Sequence, residues 1–561
     1  MRECGLLCGP QPEGTGRTAS AGEGCGGEPA ALVTLVAFHA VLALLLPWAL
    51  RHDRRAMPYV AALAPLATVI WAVRQSGAVA AGEPIAETVD WAAELGLVLQ
   101  FRLDGLSWVM LLLVGGVGVL VLVYSAWYFP RPPALIISVL VAFAGAMTGL
   151  VLADNLLVLY VFWELTTLCS YLLIAADRPE DPEHRRAANQ ALLITTGFGL
   201  VMLAGFVVLG LAAGTYTISV LLADPPEGAA VTTALVLILL GAFAKSAQMP
   251  LHSWLPAAMV APTPISAYLH AAAMVQAGVY LVGRLTPGFA GTGVWVPLVV
   301  TVGLVSLLAA GWQALWQDDL KRLLAYGTIS QLGLLMVLVG AGDRTAALAG
   351  DALLLAHGLF KAPMFLAVGV LDRTFGTRRG SRLHGVGPQL PVTALATALA
   401  VASMVGLPPF LGFTAKEAAL EAFAHGGADL LVLAGVTVGS AFTVAYGTRF
   451  LQAAFGGDAD AAESARMYKA ARDIGINFFD TADQYAGGRS EEILGRLIRG
   501  ERDNLIITSK CFNPTSSDPN ARGANRRHIA RAVEASLKRL GTDRLDVLFM
   551  HRWDPVTPLE E

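Results

Sequence analysis

The chain has 561 residues, 55% of them hydrophobic and only 15% charged, with a net charge of -4. Soluble domains carry about 25% charged residues, so a single soluble domain is excluded. Charge is also uneven. Ala461 to Glu561 holds 31 of the charged residues, about 31% of that segment against about 11% of the first 460 residues, which marks two unlike parts in one chain. No long basic run is present, so no nucleic-acid partner is expected. Cys4, Cys8, Cys25, Cys169 and Cys511 form neither a CxxC pair nor a Cys/His zinc spacing, and neither a metal site nor a disulfide framework is expected.

Residues 1–30 are rich in Gly, with eight glycines, and are expected to form a disordered tail, having too little apolar surface to fold. The first apolar run, Ala31 to Leu50, leads into RHDRR and not into a small-residue cleavage site, which predicts a retained spanning helix. Similar runs recur near 57 to 73, 105 to 125, 133 to 152, 154 to 176, 189 to 212, 231 to 248, 264 to 283, 294 to 315, 322 to 340, 346 to 371, 392 to 411 and 428 to 454. Each is near the ~20 residues a bilayer requires, so an all-α polytopic membrane protein of about thirteen spans is expected over residues 31–456.

Basic residues are retained on the cytoplasmic side of a membrane. The basic loops follow the first span (Arg51, Arg54, Arg55), the fifth (Arg178, Arg185, Arg186) and the eleventh (Arg373, Arg378, Arg379, Arg382), all odd-numbered and therefore on one face. The acidic connections with Glu83, Glu87 and Asp90, and with Asp224 and Glu227, follow even-numbered spans. The amino terminus is then expected outside and the C-terminal segment in the cytoplasm.

Two spans carry breaks. Pro250 and Pro256 interrupt one soon after Lys245, and Pro408 and Pro409 interrupt the other shortly before Lys416. A pair of Pro-interrupted apolar segments in two halves points to the inverted repeats of transporters and to their ion site.

Glu164 and Lys245 lie well inside apolar spans, and Lys361 and Lys416 join them. Each such charge costs about 2.5 to 3.5 kcal/mol on insertion scales, roughly 10 to 14 for the four, comparable to the stability of a whole domain. A burden of that size implies use. Burial and an approaching or withdrawing carboxylate can poise a lysine between its charged and neutral forms, which suits proton transfer. His270 and His357 add groups that titrate near neutral pH, while His252 lies in the first break.

These residues carry a resemblance. The string FAKSAQMPLHSWLPAAMVAPTPISAYLHAAAMVQAGVYLVGRL, with FRLDGLSWVMLLLVGGVGVLVLVYS, FWELTTLCSYLLI, DDLKRLLAYGTISQLG, AHGLFKAPMFLAVGVLD and GLPPFLGFTAKEA, resembles the antiporter-like subunits of Mrp-type sodium/proton antiporters and of respiratory complex I. Over roughly 31 to 455 it is most similar to the A-type subunit of the Mrp antiporters. The resemblance implies that Glu164 and Lys245 form a central ion pair, that His270, His357 and Lys361 continue a hydrated polar axis, and that Lys416 is its terminal lysine. Gln276 departs from the family, which often has lysine there, and the family's long C-terminal extension of further spans is not seen. No cofactor is implied for this part.

After a junction at 457–460 the hydropathy collapses, and helices and strands alternate to the end, the pattern of a parallel α/β sheet. FFDTADQYAGGRSEEILG, IITSK and DVLFMHRWD resemble the aldo-keto reductases, a TIM-barrel family. That likeness implies Tyr485 as proton donor, Asp480 and Lys510 as the partners that tune it, His551 as the residue orienting the carbonyl, and NADPH as cofactor. A barrel needs eight strands and about 250 residues. Residues 461–561 offer about three strands, so an incomplete barrel that neither binds NADPH nor catalyses is expected, joined by a gene fusion or an assembly artefact.

The expected function is that of a membrane subunit in a multi-subunit monovalent cation (Na+)/proton antiporter of a bacterial plasma membrane, thus a transport component and not an enzyme. Its partners would be the other subunits, protons, monovalent cations and the lipid bilayer. Alternatives are a proton-pumping subunit of a complex I-like NADH:quinone oxidoreductase and, from another class, a membrane-anchored NADPH-dependent reductase.

Overall fold

The computed structural model describes residues 31–92, 97–176, 180–383, 386–427, 429–456, 459–514, 518, 520–554 and 557–558. The expected tail 1–30, Arg178 and the first half of the junction 457–460 lie outside the described residues.

The apolar runs become helices in chain order: α1 (Ala31–Ala49), α2 (Met57–Arg74), α3 (Gly105–Tyr128), α4 (Ala134–Leu152), α5 (Leu156–Ala175), α6 (Pro182–Ala213) and α7 (Ala229–Lys245). There follow α8 (Thr263–Phe289), α9 (Trp295–Ala314), α10 (Leu320–Gly340), α11 (Arg344–Phe375), α12 (Pro391–Val405), α13 (Leu411–Ala422) and α14 (Asp429–Phe455). Side-chain caps set several starts. Asp104 and Ser107 form a reciprocal box at α3, and Asn155, Asp319 and Asp343 cap α5, α10 and α11.

Among the described residues, eleven of these helices are long and apolar enough to cross a bilayer. The expected thirteen are not all of that kind, because α7 and α12 have only 17 and 15 residues. Both stop at the predicted breaks. After Lys245 the chain turns through Ala247, whose φ of 48° is unusual for a residue with a Cβ, and Trp254 Nε1 reaches back to Ala244 O (2.9 Å). After Val405 it turns through Gly406 at φ 85°, a left-handed conformation in which glycine carries no Cβ penalty.

The expectation of an all-α membrane part needs correction. β1 (Ile85–Ala92) and β2 (Leu97–Leu103) form an antiparallel hairpin with Ile85 opposite Leu103. Ile85, Glu87 and Val89 are half-buried and Ala86, Thr88 and Asp90 exposed, the period of two of a strand with one covered face. Glu87 Oε2 accepts from Leu32 N (2.8 Å), so the hairpin caps the first turn of α1.

The ends of the helices sort onto two faces. One cavity gathers Asp104, Leu222, Arg284 and Asp343, which lie after α2, after α6, at the end of α8 and after α10. Another gathers Asp181, Pro256, Asp319 and Arg378, which lie after α5, α7, α9 and α11. Odd and even connections are thus segregated, the arrangement that the loop charges predicted. In the middle, α4, α8 and α10 are buried almost throughout, while only 28% of the apolar stretch of α1 and of α14 is buried. An apolar surface of that extent matches lipid and not water.

The C-terminal part has α15 (Ala459–Asp473), β3 (Phe478–Asp480), α16 (Arg489–Leu497), β4 (Ile506–Cys511), α17 (Arg526–Leu540) and β5 (Val547–Met550). Its strands form a parallel sheet in the order β3-β4-β5, over a small core of Ile498, Leu505, Ile507 and Leu540.

Candidate functional site: buried charged and polar groups along the membrane part

Lys245 ends α7 and is wholly buried. Its Nζ donates to Trp163 O (3.0 Å) and Thr167 Oγ1 (2.7 Å) on α5 and lies 5.0 Å from the centre of the Trp163 ring. It also sits at the negative end of the α7 dipole, which favours a cation. Glu164 is half-buried; its Oε2 accepts from Thr196 Oγ1 on α6 (3.2 Å), and its Oε1 has no hydrogen-bond partner. The implied central pair therefore makes no direct salt bridge. Residues 163 and 167 stack on one face of α5, where Lys245 docks, whereas Glu164 projects about 100° round the helix toward α6. Gly199 on α6 makes room for that carboxylate, since a Cβ there would fall on Glu164 Oε1.

A third interruption was not expected. Within α8, Tyr268–Ala272 form a π-helical turn that carries His270, and regular helix resumes only at Gln276. Such turns concentrate at functional positions. His270 is wholly buried, neither ring nitrogen has a hydrogen-bond partner, and its ring centre lies 6.0 Å from that of Trp254. Gln276 Nε2 lies 2.8 Å from His357 Nδ1, which is also 3.1 Å from Ala271 O. His357 Nδ1 can accept from Gln276 when it is bare and donate to Ala271 O when it carries the proton. Gln276 thus faces His357 with a group that donates but does not titrate.

Lys361 lies one turn beyond His357 on α11, wholly buried, 3.4 Å from Leu324 O and 5.7 Å from the centre of the Tyr446 ring. Tyr446 OH accepts from Gln331 Nε2 (3.0 Å). Lys416, just after the second break, is 8% exposed and its Nζ has no hydrogen-bond partner. Neither lysine reaches out to a polar surface. Among the expected proton-path residues no two share a hydrogen bond; His357 bonds Gln276 instead, and His252 is half-buried in the first break.

Two features escaped sequence reasoning. Lys321 is 1% exposed and its Nζ donates to Ala261 O (2.6 Å), beyond the first break. Placed in DDLKR, it reads as a solvated helix start; its length, able to cross to another helix, was the signal. On the opposite face, Arg284 pairs with Asp104 and donates to Tyr280 OH (2.8 Å), which donates to Val151 O (2.7 Å). Asp351 lines the same cavity.

In the C-terminal sheet, Lys510 pairs with Asp480 and donates to Tyr485 OH (3.2 Å), while the His551 and Tyr485 rings meet edge-on with centres 5.8 Å apart. All four predicted residues therefore come together at the carboxyl ends of the strands. Burial raises the Asp480 carboxyl, but hydrogen bonds from Lys510 and Thr508 outweigh it and hold the group below its usual value. Burial lowers the Lys510 ammonium, and its bonds to Asp480 and Tyr485 outweigh that and raise it.

Apolar helices with two breaks, and charged groups buried beside those breaks, define a polytopic membrane protein built to hold charge within the bilayer. Residues 153–443 match the family model described as NADH:quinone oxidoreductase/Mrp antiporter, TM, and the chain belongs to this family. Residues 91–135 match the complex I chain 5 N-terminus, and residues 444–561 match the aldo/keto reductase family. The chain is similar to a probable K(+)/H(+) antiporter A/B subunit of Rhizobium meliloti (41% identical over 392 residues, 68% of this chain and 39% of that protein). It is also similar to the Na(+)/H(+) antiporter A subunit of Alkalihalophilus pseudofirmus (40% identical, 67% of this chain and 49% of that protein). It spans about half or less of these relatives. Among solved structures it resembles the Mrp complex from Dietzia sp. DQ12-45-1b, with a TM-score of 0.70 and 38% identity, covering 75% of this chain and 47% of that one. Respiratory complex I from Thermus thermophilus with bound NADH is similar at a TM-score of 0.68 and 26% identity, covering 76% and 88%.

Proposed function

We propose that this chain is a membrane subunit of a multi-subunit monovalent cation/proton antiporter in a bacterial plasma membrane, with protons moving along Glu164, Lys245, His270, His357, Lys361 and Lys416. The observation that carries this reading is the set of buried lysines and histidines beside interrupted helices, where bland packing would have left apolar side chains. In this reading α7 and α12 complete their crossings through the broken segments, giving thirteen spans in inverted repeats. The arginine-rich face and the C-terminal segment then lie in the cytoplasm. The two relatives named as antiporter subunits support it.

A complex I-like role is the second reading, favoured by the similarity to respiratory complex I. Co-purification with iron-sulfur and quinone-reducing subunits selects it. For the C-terminal segment we propose neither NADPH binding nor turnover. Among the described residues, Tyr485 is 40% exposed, and Phe549 and Met550 on β5 are exposed too, so these residues leave the polar groups open to solvent.

The test is Glu164→Ala and Lys245→Ala, each in the assembled complex. Both should abolish proton-coupled transport in a vesicle pH-gradient assay with insertion unchanged, because Lys245 is wholly buried and Glu164 half-buried, each held by groups of another helix. Near-normal transport in both sinks the proposal.

A further inference from the structure

The turn after α1 and the turn after α3 meet in one open cavity of about 510 Å³, lined by Arg51, His52, Asp53, Arg54, Arg55 and Arg131. Asp53 is the lone carboxylate in that lining, and its Oδ1 accepts from Ala56 N (3.2 Å) at the start of α2. Arg51 Nε meets His52 Nε2 (2.9 Å). Among the described residues, none of the four arginines is paired with a carboxylate. Like charges gathered in this way repel one another unless an anion joins them.

A second arginine-lined cavity behaves differently. There Asp181, Glu183 and Asp319 stand among Arg186, Arg322, Arg378 and Arg379, and Arg378 pairs with Asp319 at 2.6 Å. That site balances most of its own charge, whereas the cavity below α1 does not. Fixing loops on one side of the membrane needs only their charge and would be served equally by scattered arginines.

The surroundings indicate the anion. Trp48 on α1, Tyr59 on α2, Trp127 on α3 and Leu135 on α4 flank the basic turns, and all four are more than half exposed. Aromatic side chains at helix ends mark the level of lipid headgroups. Guanidinium groups grip phosphate with parallel hydrogen bonds, and apolar helix faces above them accept hydrocarbon chains. We propose that this cavity binds the phosphate headgroup of an anionic phospholipid, whose acyl chains lie along the exposed faces of α1 to α4.

The experiment uses the full purified chain in detergent, titrated with dioleoylphosphatidylglycerol, dioleoylphosphatidylcholine or inorganic phosphate, with bound lipid counted by native mass spectrometry. Phosphatidylglycerol should bind at least tenfold more tightly than phosphatidylcholine. Removing two guanidiniums in R54Q/R131Q should weaken it about thirtyfold, as expected for two interfacial charges. R322Q/R379Q, in the balanced cavity, should leave that affinity unchanged. Should R54Q/R131Q insert poorly, R54K/R131K keeps the charge and removes the parallel hydrogen bonds, and it should still lose severalfold. Equal binding of the two lipids, undiminished affinity in both paired variants at Arg54 and Arg131, or displacement of the lipid by millimolar inorganic phosphate overturns the proposal.

Discussion

Gly199 shows how finely the site is fitted around one carboxylate. Any added carbon falls on Glu164 Oε1, whereas two residues earlier a Cβ on Gly197 meets nothing. Alanine favours a helix over glycine by about 1 kcal/mol, so both Gly→Ala changes should be neutral or stabilising for the fold. Gly199→Ala should nevertheless lower proton-coupled transport by about tenfold or more by displacing Glu164, and Gly197→Ala should not. Equal rates in the two variants, measured in the same vesicle assay, would detach Glu164 from transport. A second residue-scale expectation concerns Asp480 and Lys510. The Asp480 group lies below its usual value in the folded chain, so its contribution is present above the unfolded value of about 3.9 and is lost as pH falls below it. Lys510 is raised, so its share is full below about 10.4 and is lost as pH climbs through its folded value. The Asp480 side chain is 45% exposed, which limits the pair to less than about 1 kcal/mol. Protease resistance of the C-terminal segment across a pH series should show a shallow plateau between these limits, and Lys510→Met should flatten its edges.

At the scale of elements, α3 depends on Asp104 twice, as its cap and as the counter-charge of Arg284. Asp104→Ala should therefore cost about 3 kcal/mol, more than the ~1 of a lost cap, because it strands a guanidinium of which only 12% of the side chain is exposed. Ser107→Ala, which removes only the reciprocal half of the cap, should cost about 1 kcal/mol. Thermal unfolding followed by circular dichroism ranks the two, and an equal loss would dismiss the ion pair. The long helices were legible in the sequence because a bilayer demands ~20 apolar residues and leaves little else to choose. Both breaks were legible for a similar reason, since proline cannot continue the backbone ladder. The hairpin was not, because its acidic residues read as a connection and its alternation is only half apolar. Nor was the π turn at His270, whose flanking alanines and leucine suit an α-helix equally well. The candidate lysines and histidines were readable one by one from charge in apolar surroundings. Their partners were not: the docking of Lys245 beside Trp163, and the link from Gln276 to His357, depend on which helix faces meet.

For the molecule as a whole, the two parts keep separate cores, one spread through α1 to α14 and one of a few residues under the three-stranded sheet. The reductase-like match begins at Val444, inside the last apolar helix, although the hydropathy changes only after that helix ends at Phe455. Deleting 459–561 should leave transport unchanged, and limited proteolysis should remove that segment first. A resistant fragment, or transport lost on deletion, would mean that it docks. The full chain should consume no NADPH with aldehyde substrates, and turnover that vanishes in Tyr485→Phe would revive the reductase reading. The bond from Leu32 N to Glu87 bears on how the protein is made. The first helix leaves the ribosome with an amide whose acceptor lies 55 residues downstream, about 3 to 11 s of synthesis at ~5–20 residues per second. During that interval α1 resides in the bilayer without its clasp, and its final depth is fixed only when the hairpin arrives. A ribosome stalled near codon 100, with α1 in the bilayer and the hairpin still inside the exit tunnel, should thus hold a first helix that still slides along the membrane normal, and one stalled past codon 140 should hold it locked.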